Sequence, residues 1–269
     1  MASKLKVAVA SLDIAWADVE ENLTTVEECI KSLPAGTDLL VLPELFSTGY
    51  IIDRSTLDDV AESNTGKTVG RLLQLARNYS IALAGSFLAR EGDRLFNRAF
   101  FIEPSGDTVF YDKNHLFSLS SEMNLFNAGS RPYPLVRFRG WNIAMIICYD
   151  LRFPAWCRNR SSAYYDMMLV PANWPQSRKY AWEHLLIARA IENQAVYVGA
   201  NRSGNDDFGC YDDMSMVFDA MGKPIKPDCN ESVNKTASRL FVVNLDKQQL
   251  EECRTKLPFL GDANDFGFL

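Results

Sequence analysis

The stretch Asp38-Leu39-Leu40-Val41-Leu42-Pro43-Glu44 decides the fold class. Its four apolar residues show no polar alternation and are closed by a proline, the pattern of a short strand buried on both faces. Upstream, the alternating run 6–12 predicts a strand, and 16–33 predicts a helix with Val19, Leu23, Val26 and Ile30 at helical spacing, ended by Pro34-Ala35-Gly36-Thr37. Downstream the alternation repeats. A helix is expected over 66–79, on Val69, Leu72, Leu73, Leu75 and Ala76, followed by a strand over 81–88. Runs at 98–102 and 108–111 flank the turn Pro104-Ser105-Gly106-Asp107 and read as a hairpin. Runs at 135–138 and 141–147 flank Arg139-Gly140 and read as another, whose second strand delivers Cys148 at its C-terminal end.

A helix follows from Pro154, then a strand at 167–170 and a helix at 178–193 that is apolar on most faces, as expected of a helix sandwiched between layers. Strands at 195–201, 214–218 and 239–245, a helix at 247–255 and an irregular C-terminal arm at 257–269 complete the chain. Strands alternating with helices and mixed with hairpins predict one α/β domain over 1–269, with mixed sheets inside and helices outside.

The chain has 269 residues, 47% hydrophobic and 23% charged, enough for a sizeable folded core. With 28 Lys and Arg against 34 Asp and Glu the net charge is −6, so no positive field is available for nucleic acid or an anionic membrane surface. Met1-Ala2-Ser3-Lys4-Leu5-Lys6 runs straight into Val7-Ala8-Val9-Ala10 without an export signal, and no apolar run approaches the roughly 20 residues that span a bilayer. A cytoplasmic protein is expected. The six cysteines form no CxxC pair and read as reduced thiols, and two histidines without a Cys/His cluster leave a metal without obvious ligands.

Three segments each place a reactive side chain just after an expected strand, where open α/β folds collect their sites. They are Leu42-Pro43-Glu44-Leu45-Phe46, Tyr111-Asp112-Lys113-Asn114-His115-Leu116-Phe117, and Ile147-Cys148-Tyr149-Asp150-Leu151-Arg152-Phe153-Pro154. In order, local context and spacing they resemble the Glu–Lys–Cys segments of the nitrilase superfamily of carbon–nitrogen hydrolases. The resemblance extends to Asn173-Trp174-Pro175, Ala188-Arg189-Ala190-Ile191-Glu192-Asn193 and Asn201-Arg202. The segment after Cys148 and the 258–266 tail are similar to the ω-amidase branch, which hydrolyses α-ketoglutaramate and α-ketosuccinamate.

The resemblance implies a four-layer αββα sandwich of two mixed sheets flanked by helices, a homodimer or higher homo-oligomer, and catalysis by Glu44, Lys113 and Cys148 on a small amide. The chemistry fits the residue types. An unperturbed thiol has a pKa of about 8.5, so Cys148 needs a base, for which Glu44 serves, and the oxyanion needs donors, for which Lys113 and the Tyr149 N–H serve. A thioester then forms and is hydrolysed, with no metal or organic cofactor. Glu122 matches in rough position a second glutamate that the family keeps near the lysine. Phe117, Arg152 and Trp174 are candidates for contact with substrate.

Each residue also has a plainer reading. Alone, Cys148 is a buried thiol, Glu44 and Glu122 are solvated carboxylates, and Lys113 is a surface charge. Their joint occurrence at strand ends favours catalysis. His115 is expected to support the site rather than to act as a base, and His184 to be a hydrogen-bonded core histidine. Asp150 and Arg152 are expected to pair and brace their turn, with contact between Arg152 and a substrate carboxylate as the alternative. Arg178, Lys179 and Arg202 read as surface charges that could anchor a carboxylate. Other functions left open are hydrolysis of N-carbamoyl compounds or nitriles, and a catalytically silent binding subunit. The loops between Phe117 and Pro134 would decide specificity.

Overall fold

The computed structural model describes residues 3–160, 164–211, 214–231 and 237–263. In chain order the strands are β1 (Lys4–Leu12), β2 (Leu39–Val41), β3 (Ala82–Glu91), β4 (Arg94–Ile102), β5 (Thr108–Asp112), β6 (Leu135–Phe138) and β7 (Trp141–Met145). They continue with β8 (Met167–Ala172), β9 (Val196–Asn201), β10 (Gly204–Asp206), β11 (Gly209–Tyr211), β12 (Met216–Phe218), β13 (Cys229–Glu231) and β14 (Ala237–Asp246). The helices are α1 (Val19–Ser32), α2 (Arg54–Val60), α3 (Lys67–Tyr79), α4 (Glu122–Leu125), α5 (Pro154–Cys157), α6 (Lys179–Asn193) and α7 (Lys247–Lys256).

Two mixed sheets form the centre. One has the order β13-β14-β1-β2-β3-β4-β5 and the other β12-β9-β8-β7-β6. In the first, β1, β2 and β3 run parallel while β4, β5 and β14 pair antiparallel with their neighbours. In the second, β7, β8 and β9 are parallel, with β6 and β12 antiparallel at the edges. The period-two pleat sorts side chains to two cores. Val7, Val9, Leu39, Val41, Ala82 and Ala84 join Ile143, Met145, Met167 and Leu169 in the core between the sheets. Ala8, Ala10, Leu40 and Leu83 face the other way, onto Leu23, Val26, Leu72 and Ala76 of α1 and α3. The expected α/β architecture of mixed sheets flanked by helices is what the chain adopts.

Element ends follow local chemistry. Helix α1 starts at Val19 and not at the expected Trp16, because Ala17 has a left-handed φ of 55° and the Asp18 side chain caps the Glu21 N–H at 3.0 Å. The expected hairpins form as antiparallel pairs, β4 with β5 and β6 with β7. The second turns at Arg139-Gly140, whose φ values of 47° and 80° are both positive, as a tight two-residue turn requires. Of the expected arm at 257–269, residues 257–263 are described and make a 3-10 turn at Phe259–Asp262, while residues 264–269 lie outside the described residues. Among the described residues no helix is long and apolar enough to cross a membrane.

Helix α6 is not sandwiched. It buries Trp182, Leu186, Arg189, Ala190 and Asn193 on the second sheet, whereas Tyr180 is 76% and Ile191 47% exposed. Its apolar residues outnumber what one face needs, and the surplus faces outward. Close packing on β9 relies on Gly199, where an added Cβ would lie 2.6 Å from the Trp182 ring and 2.7 Å from Leu186. Gly199→Ala is therefore expected to destabilise the protein by about 1–3 kcal/mol through overpacking, measured as a lowered midpoint in urea unfolding.

Candidate active site

Glu44 follows β2 on a segment held tightly to β3. Leu45 has a left-handed φ of 47°, its N–H donates to Ser86 Oγ at 2.9 Å, and the Phe46 N–H donates to the Ser86 carbonyl at 3.0 Å. This reversal turns the Glu44 side chain inward, where it is 1% exposed. Its Oε1 accepts from Asn97 Nδ2 at 2.7 Å and from Lys113 Nζ at 3.0 Å, and its Oε2 accepts from the Asn173 main-chain N–H at 2.8 Å. Ser86 Oγ donates to Asn97 Oδ1 at 2.9 Å, which sets the Asn97 carboxamide with its nitrogen toward Glu44.

Lys113 follows β5, with its N–H donating to the Asn97 carbonyl at 2.9 Å and its own carbonyl accepting from Gly129 N at 2.9 Å. Its ammonium, 2% exposed, also reaches Glu122 Oε1 at 2.8 Å. Glu122 is fully buried at the start of α4, and its Oε2 accepts from the Phe117 N–H at 2.7 Å and from Tyr50 Oη at 3.3 Å. The plainer reading of Glu122 as a solvated loop carboxylate does not hold. Burial alone would push the Lys113 pKa down, but Glu122 and Glu44 outweigh it and hold the ammonium well above the usual lysine value.

Cys148 opens a 3-10 turn, Cys148–Arg152, with a left-handed φ of 43°. The first bond of that turn runs from Asp150 N to the Ile147 carbonyl at 2.9 Å, so the N–H groups of Cys148 and Tyr149 lie upstream of it. Burial first, and the Glu44 carboxylate second, push the Cys148 pKa well above the usual thiol value, with Lys113 opposing them. The resting group is a neutral thiol.

Asp150 does not pair with Arg152. It is fully buried and accepts from Tyr111 Oη at 2.7 Å, Ile147 N at 3.1 Å and His115 N at 2.9 Å, while His115 Nδ1 lies 2.7 Å away. With the His115 ring stacked on Phe153 at 3.8 Å, the histidine is a support of the cysteine turn. Arg152 instead lies 4.7 Å over the Trp174 ring. His184 is exposed and stacked on Tyr180 at 3.8 Å, not in the core. Arg202 is not a surface charge: it is 1% exposed and pairs with Asp206 at 2.6 Å and Asp13 at 3.7 Å. Lys179 is exposed at the start of α6.

Glu44, Lys113, Cys148 and Glu122 converge on a cavity of about 400 Å³, which Phe117, Tyr149, Arg152 and Trp174 also line. Of the cations that the sequence offered as carboxylate anchors, Arg178 lines this space, whereas Lys179 and Arg202 do not. Arg178, 5.1 Å over the Phe117 ring, completes the rim together with Phe208 and Tyr211 of the β10–β11 hairpin. Residues that sequence reading missed are Asn97, Ser86 and Tyr50. The available signal was a polar residue at an inward position of a strand, since Asn97 falls at the same alternate positions of β4 as Leu95, Ala99 and Phe101 and is fully buried. Among the described residues no group of three or more His, Cys, Asp or Glu side chains gathers in a way that could hold a metal ion.

Comparison with known proteins bears on this geometry. The ω-amidase YafV of Escherichia coli K12 is 35% identical over 268 residues, covering 97% of this chain and 98% of its own. The 2-oxoglutaramate amidase of Bacillus subtilis is 29% identical, covering 96% and 97%. A crystal structure of a CN-hydrolase superfamily protein from Xanthomonas campestris, with an arsenic adduct in its active site, superposes with a TM-score of 0.89 at 31% identity and 99% coverage of both chains. The sequence model of the carbon–nitrogen hydrolase family matches residues 6–255, and the chain belongs to that family.

Proposed function

We propose that this protein is an ω-amidase-type hydrolase that converts the primary amide of a small dicarboxylate monoamide, such as α-ketoglutaramate or α-ketosuccinamate, into the acid and ammonia. The observation that carries the reading is the position of Glu44. One buried carboxylate touches the Lys113 ammonium and lies against the Cys148 thiol at the floor of a cavity.

Cys148 attacks the amide carbon while its proton passes to Glu44, which suits a thiol that is neutral at rest. The carbonyl oxygen becomes an oxyanion facing Lys113 Nζ and the Tyr149 N–H, donors of a kind whose individual loss commonly costs about 2.7–4 kcal/mol of barrier. Glu44 returns the proton to nitrogen, the C–N bond breaks, ammonia leaves and a thioester remains. Water, deprotonated by Glu44, attacks the thioester, and collapse releases the acid and restores the thiol. Glu122 fixes the ammonium from the far side at 2.8 Å.

Arg152 and Arg178 line the cavity over aromatic rings, and neither pairs with a carboxylate among the described residues. Two guanidinium groups without acidic partners suit a substrate with an anionic end. This agrees with the names of the relatives, whose sequences match over nearly their whole length. The homodimer belongs to the same proposal, and exposed Tyr180, Ile191 and Met221 offer apolar surface for it to cover.

Ammonia release is expected from α-ketoglutaramate and succinamate, above glutamine, an N-carbamoyl amino acid or a simple nitrile, and is expected to vanish in Cys148→Ala. Turnover of only the carbamoyl compound or the nitrile would overturn the substrate assignment, and activity surviving in Cys148→Ala would overturn the mechanism. Arg178→Met should raise KM for succinamate on the order of tenfold, the loss of one charged hydrogen bond. In Glu44→Gln, removal of the negative charge that opposes the thiolate should lower the Cys148 pKa. The midpoint of site-resolved alkylation by iodoacetamide against pH should therefore move down relative to wild type.

A further inference from the structure

Two arginines that brace the fold are held by carboxylates. Arg98 pairs with Asp112 at 2.6 Å and Arg202 with Asp206 at 2.6 Å, and both guanidinium groups are almost fully buried. The two that line the catalytic cavity are held differently. Arg152 is half-buried and Arg178 exposed, and no described protein group accepts a hydrogen bond from either guanidinium. Each lies over an aromatic face instead, Arg152 4.7 Å from the centroid of the Trp174 ring and Arg178 5.1 Å from that of Phe117. A ring face attracts the cation without occupying its N–H donors or cancelling its charge, so the planar fork stays available for a carboxylate arriving from solution.

One side chain touches both of these arginines. The Trp174 ring carries the Arg152 guanidinium, and the same indole donates from Nε1 to the Arg178 carbonyl at 3.0 Å. Trp174 is itself firmly set. Its N–H donates to Asn201 Oδ1 at 2.7 Å, its carbonyl accepts from Asn201 Nδ2 at 2.9 Å, and its ring packs 5.3 Å from that of Trp182. The Arg152 backbone is tied as well, since Arg189 Nη2 donates to its carbonyl at 3.4 Å and Arg189 Nε to the Leu151 carbonyl at 3.2 Å. Cys148 opens the 3-10 turn that Arg152 ends, so one turn of backbone separates the thiol from the guanidinium. The segments Asn173-Trp174-Pro175, 188–193 and Asn201-Arg202, which carry no reacting group, converge on this platform. We propose that Trp174 is a positioning residue for substrate selection: it sets Arg152 through its ring face and Arg178 through its indole N–H, and the two guanidinium groups then select amides whose far end is a carboxylate. The inference rests on the amidase reading above.

The test compares succinamate with succinamide, in which a neutral carboxamide replaces the carboxylate at nearly the same size. Trp174→Phe keeps an aromatic face for Arg152 but removes the N–H that holds Arg178, and the ratio of kcat/KM, succinamate over succinamide, is expected to fall on the order of threefold. Trp174→Leu removes both contacts, and the ratio is expected to fall on the order of tenfold, with the loss in KM for succinamate rather than in kcat. Because Trp174→Leu also removes packing on Trp182, Trp174→Phe carries the test if the leucine variant does not fold. In an Arg152→Met/Arg178→Met background the ratio should no longer respond to Trp174→Phe, since the tryptophan acts through those two residues. An unchanged ratio in Trp174→Phe, or a ratio that still falls in the background lacking both arginines, overturns the assignment and leaves Trp174 as a packed wall. If wild type releases ammonia from neither amide, the amidase reading itself fails and this inference fails with it.

Discussion

A buried ammonium held between two buried carboxylates is the constraint from which the rest of the site follows. Lys113 lies 3.0 Å from Glu44 and 2.8 Å from Glu122, and all three side chains are 2% exposed or less. Desolvating any one of these charges alone would cost several kcal/mol, and breaking such a cluster by removing one partner typically costs about 3–5 kcal/mol. The three must therefore be buried together, which ties the end of β2, the end of β5 and the 116–126 segment into one arrangement. Beside this cluster the Cys148 pKa is pushed well above the usual thiol value, by burial first and by Glu44 second, with Lys113 opposing them.

A neutral nucleophile needs its base in contact, and the structure offers one. The histidine nearest in sequence to the lysine is already engaged, because Asp150 holds both the N–H and Nδ1 of His115. Asp150 also joins two segments that are far apart in sequence. One carboxylate binds the 111–115 stretch that carries the lysine and the Ile147 N–H that precedes the cysteine. The cation and the nucleophile are thus placed relative to each other through a shared acceptor, which explains why Asp150 is fully buried without a cationic partner on its own turn.

Much of this was legible in the sequence because it depends on period and position. The unbroken apolar run at 39–42 and the hairpin around Arg139-Gly140 reflect local rules, and each reactive residue comes just after a strand. What could not be read depends on partners distant in the chain. The composition of α6 does not show which of its apolar residues face the sheet, so Tyr180 and Ile191 turned out exposed. Adjacency in sequence suggested that Asp150 pairs with Arg152, whereas the 3-10 turn sends one side chain inward to Tyr111 and the other across Trp174. The polar position of Asn97 inside a strand was a signal, but the role of Asn97 and Ser86 exists only once β3 and β4 pair and the pleat turns both toward Glu44.

Backbone strain falls where the side chains have to be aimed. Leu45 and Cys148 are both non-glycine residues in the left-handed region, a conformation that costs of order 1–3 kcal/mol and persists only where its surroundings enforce it. The enforcing contacts are specific. Ser86 Oγ takes the Leu45 N–H, and Asp150 takes the Ile147 N–H just before Cys148. Ser86 also donates to the asparagine that grips Glu44, so the group that stabilises the strained turn orients the base as well. Asp150 does the same for the nucleophile and the lysine segment. Strain and alignment are therefore not separate features of this site. The hydrogen bonds that hold each reversed backbone are the ones that fix the reacting groups, so relaxing either turn would misplace the base or the thiol even with every site residue retained.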